Sequence, residues 1–142
     1  MRATILFRIT AVLFLLFAAG HTFGFLTFKP ATQEGRAVFE SMNTVHFEDD
    51  GHIYSYGGFY RGFGLSATAS MIFQAFLAWY LGSMARRGSR DAVVMGWAFF
   101  AWQLPGLVLS FLYFGIPPMV LSSLVALLIG AATWLAPKPA SA

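Results

Sequence analysis

Residues 92–137 read AVVMGWAFFAWQLPGLVLSFLYFGIPPMVLSSLVALLIGAATWLAP and carry no charged side chain. A helix that crosses the hydrocarbon core of a bilayer needs about 20 apolar residues, so this stretch is long enough to cross twice. Near its middle lies Gly115-Ile116-Pro117-Pro118. Two prolines remove backbone donors and fix φ, so a helix must stop there and a tight turn must follow.

Two further uncharged stretches lie upstream, Ile9 to Phe28 and Gly62 to Ala85. Together they predict four transmembrane helices at roughly 5–28, 62–85, 92–114 and 118–136. The expected fold class is an all-α membrane protein. It is a four-transmembrane-helix bundle forming one membrane domain over 1–142, with a long, partly structured outer loop at 29–61 and a short tail at 137–142.

Composition points the same way. Of 142 residues, 58% are hydrophobic and 11% charged, against roughly 45–50% and about 25% in an ordinary soluble domain. A soluble domain of this size buries only about 70% of its unfolded surface. The 16 Phe, 5 Tyr and 4 Trp would then leave large apolar patches in water, so lipid is the natural solvent. The net charge of +3 arises from few charges and forms no basic patch of the kind that binds nucleic acid. With no Cys, disulfides, thiolate metal sites and thiol redox chemistry are excluded.

Arg and Lys near helix ends set orientation, because they favour the cytoplasmic side. Arg2, Arg8, Arg86, Arg87, Arg90 and Lys138 fall on one side, and Lys29, Arg36 and Arg61 on the other. Both termini and the 86–91 turn are then expected in the cytoplasm, with 29–61 facing the periplasm or exterior of a bacterial inner membrane. Trp79, Trp97 and Trp134 fall towards the inner face, as interfacial aromatics do. A cleaved signal peptide competes for helix 1, with Ala18-Ala19-Gly20 as its site. The apolar run, however, continues through Phe23, Phe25, Leu26 and Phe28.

The outer segment has structure of its own. Val38, Phe39 and Met42 lie at helical spacing within Glu34–Thr44 and predict a short surface helix. Val45-His46-Phe47 and Ile53-Tyr54-Ser55 flank an Asp50-Gly51 turn signal and predict a hairpin. His46 and His52 beside Glu48, Asp49 and Asp50 show no metal-ligand spacing, so no metal site is expected there. The stretch from Ser55 to Leu65 alternates aromatics with glycines. It reads as an interface belt leading into helix 2, with Tyr56, Tyr60 and Arg61 as the rim of an outward site.

Helices in lipid associate through small residues and interhelical hydrogen bonds. Helix 2 repeats Gly62, Ser66, Ser70, Gln74, Ala78 and Gly82 every four residues, and helix 1 carries Gly20 and Gly24 as a GxxxG pair. Gln103, Gly106 and Ser110 share a face of helix 3, where Pro105 predicts a kink, and Ser122, Ala126 and Gly130 share one of helix 4. Polar side chains collect in the outer half, with Gln74 and Gln103 near mid-depth. They predict an outward polar cavity in which Ser66, Ser70, Gln74, Gln103, Tyr60 and Arg61 bind ligand.

His21 is the ionisable side chain well inside a span, about 10 Å from the outer end of helix 1 at 1.5 Å per residue. It suits an acid or base, a metal ligand or a proton relay, or a neutral imidazole bonded to a neighbouring helix. HExxH, P-loop, GxSxG and dinucleotide motifs are absent from the sequence.

His21 followed by Gly24 late in helix 1, with the SYxxFYxGFGL entry to helix 2 at Ser55–Leu65, resembles a group of small bacterial four-helix membrane proteins. In size and layout the chain is also similar to the DoxX-like proteins. The resemblance implies the fold and a membrane location. Where that group has an acid, this chain has Gly58, so no charged site is carried over.

Two functional expectations follow. One is an accessory or ligand-binding bundle holding a lipid, quinone or similar small hydrophobic molecule, in the bilayer and able to form oligomers through Gly20/Gly24 or the helix 2 stripe. The other is a membrane-embedded enzyme on such a substrate, with His21 as acid or base and Gln74, Gln103 and Tyr60 orienting it. A proton-coupled exporter is disfavoured, since no acid lies in a span. No particular cofactor is implied.

Overall fold

The computed structural model describes residues 1–136. The predicted tail and Lys138, which entered the orientation count, lie outside the described residues. The order is α1 (Arg2–Thr27), α2 (Gln33–Thr44), β1 (His46–Asp49), β2 (His52–Ser55), α3 (Tyr56–Arg86), α4 (Asp91–Tyr113) and α5 (Ile116–Trp134). The protein is mostly helical. Of these helices α1, α3, α4 and α5, at 26, 31, 23 and 19 residues, are long and apolar enough to cross a membrane.

Helix ends follow local chemistry. At the end of α3, Gly88 takes φ of +69°. Its amide donates to Ala85 O at 3.2 Å while Ser89 N donates to Met84 O at 3.1 Å, the paired bonds of a Schellman cap. Between α4 and α5 the chain needs only extended Phe114 and Gly115. Pro117 and Pro118 do not form the turn but fall in the first turn of α5, where an amide proton would have no intrahelical partner. Helix 4 therefore begins at Ile116 rather than 118. Pro105 lies inside α4, which continues past it to Tyr113.

The larger correction is at the start of α3, which begins at Tyr56 rather than Gly62. The Ser55 hydroxyl accepts the Gly58 amide at 3.0 Å and caps the helix. The glycine-rich aromatic stretch is therefore helix, not a lead-in.

The chain divides into two compact units, Met1–Phe17 with Met71–Ala142, and Ala18–Ser70. In the first, Phe7, Leu81, Val125 and Ile129 are fully buried among Ala3, Ala11, Ala75, Ala78, Ala92 and Ala132. Small residues let helix backbones approach where lipid offers no hydrophobic drive to association. Many other large apolar side chains point outward: Ile9, Val12, Leu15, Leu16, Phe76 and Leu127 are exposed. Contact is tightest where a glycine meets a side chain. A Cβ on Gly96 would overlap buried Thr133, and one on Gly130 would meet Phe100 Cε2 at 3.1 Å. Arg8 lies over the Trp79 ring at 4.8 Å, a cation–π contact between α1 and α3.

The second unit contains the end of α1, α2, the hairpin and the start of α3. Thr32 caps α2 by accepting Gly35 N at 3.0 Å. The partly buried face of α2 is Gly35, Phe39, Met42 and Asn43, while Val38 faces outward. The two strands pair antiparallel with His46 opposite Ser55 and Asp49 opposite His52. Asp50 and Gly51 take φ of 48° and 74°, as a two-residue type I′ turn requires.

The Gly96–Thr133 contact sets a test of the α4–α5 packing. Gly96→Val is expected to destabilise the detergent-solubilised protein by roughly 1–3 kcal/mol, the usual cost of overpacking. Gly106→Ala, at a glycine with open space around it, should leave the melting temperature unchanged or slightly raised.

Candidate functional site

α1 and α3 meet in the second unit through a glycine and a histidine. His21 Nε2 lies 3.1 Å from the Gly64 carbonyl oxygen. A carbonyl only accepts, so Nε2 carries the proton and donates. The His21 ring stacks on Phe25 one turn later, centroids 5.8 Å apart and planes inclined 13°. A Cβ on Gly64 would overlap that Phe25 ring, so glycine is what allows the approach. Of the roles open to His21, the geometry displays the bonded imidazole between helices.

Beside it, Thr22 and Thr68 join the same helices, their hydroxyl oxygens 2.9 Å apart. Each hydroxyl also has an acceptor on its own helix, Ala18 O at 2.8 Å for Thr22 and Gly64 O at 3.4 Å for Thr68, so either can donate between the two. In the first unit, Gln103 Nε2 donates to Gln74 Oε1 at 2.8 Å. The two glutamines expected at mid-depth do meet, across α3 and α4.

The helix 2 stripe is only partly a packing face. Ala78 and Gly82 are buried, the latter against Phe7 and the Thr4 carbonyl. Gly62, Ser66 and Ser70 are exposed. Ser66 donates to its own helix at Gly62 O, 2.9 Å away. Gly64 and Thr68, displaced two positions from the stripe, make the contact with α1 instead. A period of four residues drifts around a helix of 3.6 residues per turn, so over five turns one stripe cannot keep to one face. Gly20 and Gly24 have open space around them and pack against nothing within the described residues.

Tyr60 and Arg61, expected at the rim of a site, line a pocket of about 310 Å³ with Phe25, Leu26, Phe28, Phe39, Met42, Asn43 and Gly57. Ser66, Ser70, Gln74 and Gln103 do not line it, and His21 lies behind Phe25. The Tyr60 and Phe25 rings stand 5.1 Å apart. Arg61 Nη2 donates to Asn43 Oδ1 at 2.6 Å, and Asn43 Nδ2 donates to Phe39 O at 2.7 Å. A Cβ on Gly57 would overlap Asn43 Oδ1, so the start of α3 is pressed against the end of α2.

Sequence reasoning missed the α2 contribution. Asn43 reads as a solvent-facing polar residue of a surface helix, and nothing local marks its partner eighteen residues on. The available signal was Phe25, four residues after His21 and so on the same helical face.

His46 and His52 stand at opposite ends of the hairpin and on opposite faces. Each ring nitrogen Nδ1 donates locally, to Thr44 O at 2.7 Å and to Asp50 O at 3.0 Å. Among the described residues no three of His, Asp and Glu gather as a metal site.

Comparison with known protein families, characterised proteins and solved structures finds no match to this chain.

The His21 contact separates a structural from a chemical role. His21→Ala is expected to lower stability by about 1 kcal/mol, the scale of one hydrogen bond between membrane helices. His21→Phe, which keeps the stack on Phe25 and loses only the bond, should fall between it and the unmodified protein in thermal denaturation.

Proposed function

We propose that the protein is a multi-pass membrane protein, a four-helix bundle that holds a small amphipathic molecule in the pocket bounded by α1, α2 and α3. The observation that carries this reading is the lining: mostly aromatic and aliphatic side chains, together with one cation, Arg61, and one amide, Asn43. Small-molecule sites typically combine an apolar wall with a few placed polar groups and occupy about 300–1,000 Å³. This pocket, at about 310 Å³, suits a small molecule or part of an acyl or isoprenoid chain.

The exposed aliphatic surfaces of the long helices support lipid as the solvent. The distribution of basic residues supports a bacterial inner membrane with cytoplasmic termini and residues 29–61 outside. The His21 geometry supports a binding role over acid–base catalysis, because its proton is engaged by a backbone carbonyl and an aromatic ring separates it from the pocket.

The test is native mass spectrometry of the full chain released from membranes in mild detergent. A co-purifying small molecule is expected, and Met42→Trp, which fills the pocket from α2, should displace it while helicity and melting temperature are kept. A bare chain that also binds no added amphiphile would overturn the reading. Orientation is checked in the same preparation, since the chain has no Cys. Glu48→Cys should react with an impermeant maleimide in intact cells and Ser89→Cys only after lysis.

A further inference from the structure

Resting on that pocket, we infer that its occupant carries an anionic head, a carboxylate or phosphate, and that Arg61 is the residue that binds it. Five of the six acidic residues lie in the segment before α3. Even so, among the described residues Arg61 pairs with no carboxylate; its bond is to the neutral Asn43 amide oxygen at 2.6 Å. A guanidinium has five N–H donors in a rigid fork that matches the paired oxygens of carboxylate or phosphate. One donor is engaged by Asn43, and the rest of the fork is open at the exposed edge of an aromatic pocket.

The cation is also positioned. Asn43 is tied to Phe39 O at 2.7 Å, and the close approach of Gly57 confines its amide oxygen. Asn43 is thus a positioning residue: it orients Arg61 and cannot itself neutralise it. The lining joins Arg61 to Asn43 and also includes the paired rings of Phe28 and Phe39 and of Phe25 and Tyr60. A lining with one cation and several rings suits an amphiphile, head at Arg61 and tail against the rings.

Depth agrees with this assignment. Arg61 is the last charged residue before the uncharged stretch 62–85, so it flanks the apolar span at headgroup level, where the charged end of a single-chain amphiphile resides and its tail turns inward.

The experiment titrates the purified full chain, in a neutral detergent, with three probes of matched chain length: oleate, an oleoyl lysophosphatidylglycerol and oleyl alcohol. Native mass spectrometry gives the bound fractions. Oleate or the lysolipid is expected to bind roughly tenfold or more tightly than the alcohol, as one charge-assisted contact implies. Whichever anion binds more tightly distinguishes carboxylate from phosphate as the source. Arg61→Gln should collapse the ratio towards one, and Arg61→Lys, which keeps the charge without the fork, should restore part of it. Asn43→Ala should lower the ratio severalfold at unchanged helicity. Equal affinity for alcohol and anions in the unmodified chain, or an undiminished preference in Arg61→Gln, would overturn this inference alone. Failure of all three probes to bind would overturn the pocket reading with it.

Discussion

Lipid-compatible helices have no hydrophobic reason to prefer one another over the acyl chains around them. Every feature of the packing depends on that constraint. Large aliphatics on α1, α3 and α5 point outward, and the buried positions are occupied largely by alanine. Close contact then rests on positions where a side chain is missing: Gly82 against Phe7, Gly96 against Thr133 and Gly64 against Phe25. Each glycine admits one bulky or branched partner, so van der Waals contact replaces the burial of surface from water as the source of cohesion.

Polar side chains supply the second element. Gln74 with Gln103, Thr22 with Thr68 and His21 with the Gly64 carbonyl each join two helices. In a medium that offers no water, a hydrogen-bonding group must find its partner within the protein or pay desolvation. Interhelical bonds therefore select which faces meet even when each contributes modestly to stability. The run of ring contacts from His21 to Phe25 to Tyr60 extends one of these contacts from the α1–α3 seam to the pocket wall. The His21 contact and the pocket thus share one aromatic ring, that of Phe25.

Much of this was legible from the chain. The Asp50-Gly51 turn could be read because positive φ at two successive positions has few sequence solutions. The surface helix could be read from the spacing of Val38, Phe39 and Met42, although Val38 proves to face outward. The shared mid-depth of Gln74 and Gln103 could be read by counting residues along their helices, while their bond to each other came from the fold. The start of α3 was misread because the span was bounded by the charge at Arg61. In the folded chain the helix runs back through Arg61, which bonds to Asn43, as far as Tyr56, with Ser55 as the cap, and that depends on what lies opposite. The Gly62–Ser66–Ser70 stripe failed for a different reason. Its period of four matches a helix over two turns and drifts off the face over five, so the contact passes to Gly64 and Thr68.

The sequence by itself determined the four long apolar helices, their separation by charges and prolines, the hairpin and the polar residues available to pair. These are local matters: a run of uncharged residues, a fixed φ or a turn dipeptide acts on its own neighbourhood. Only the tertiary structure decided that Asn43 reaches Arg61, that Gly57 and Gly64 make room for Asn43 and Phe25, and that the pocket lies against α2 rather than among the serines of α3. Those outcomes depend on the rotation of each helix about its axis. Rotation is set by the packing of several side chains at once, which no single stretch of sequence carries.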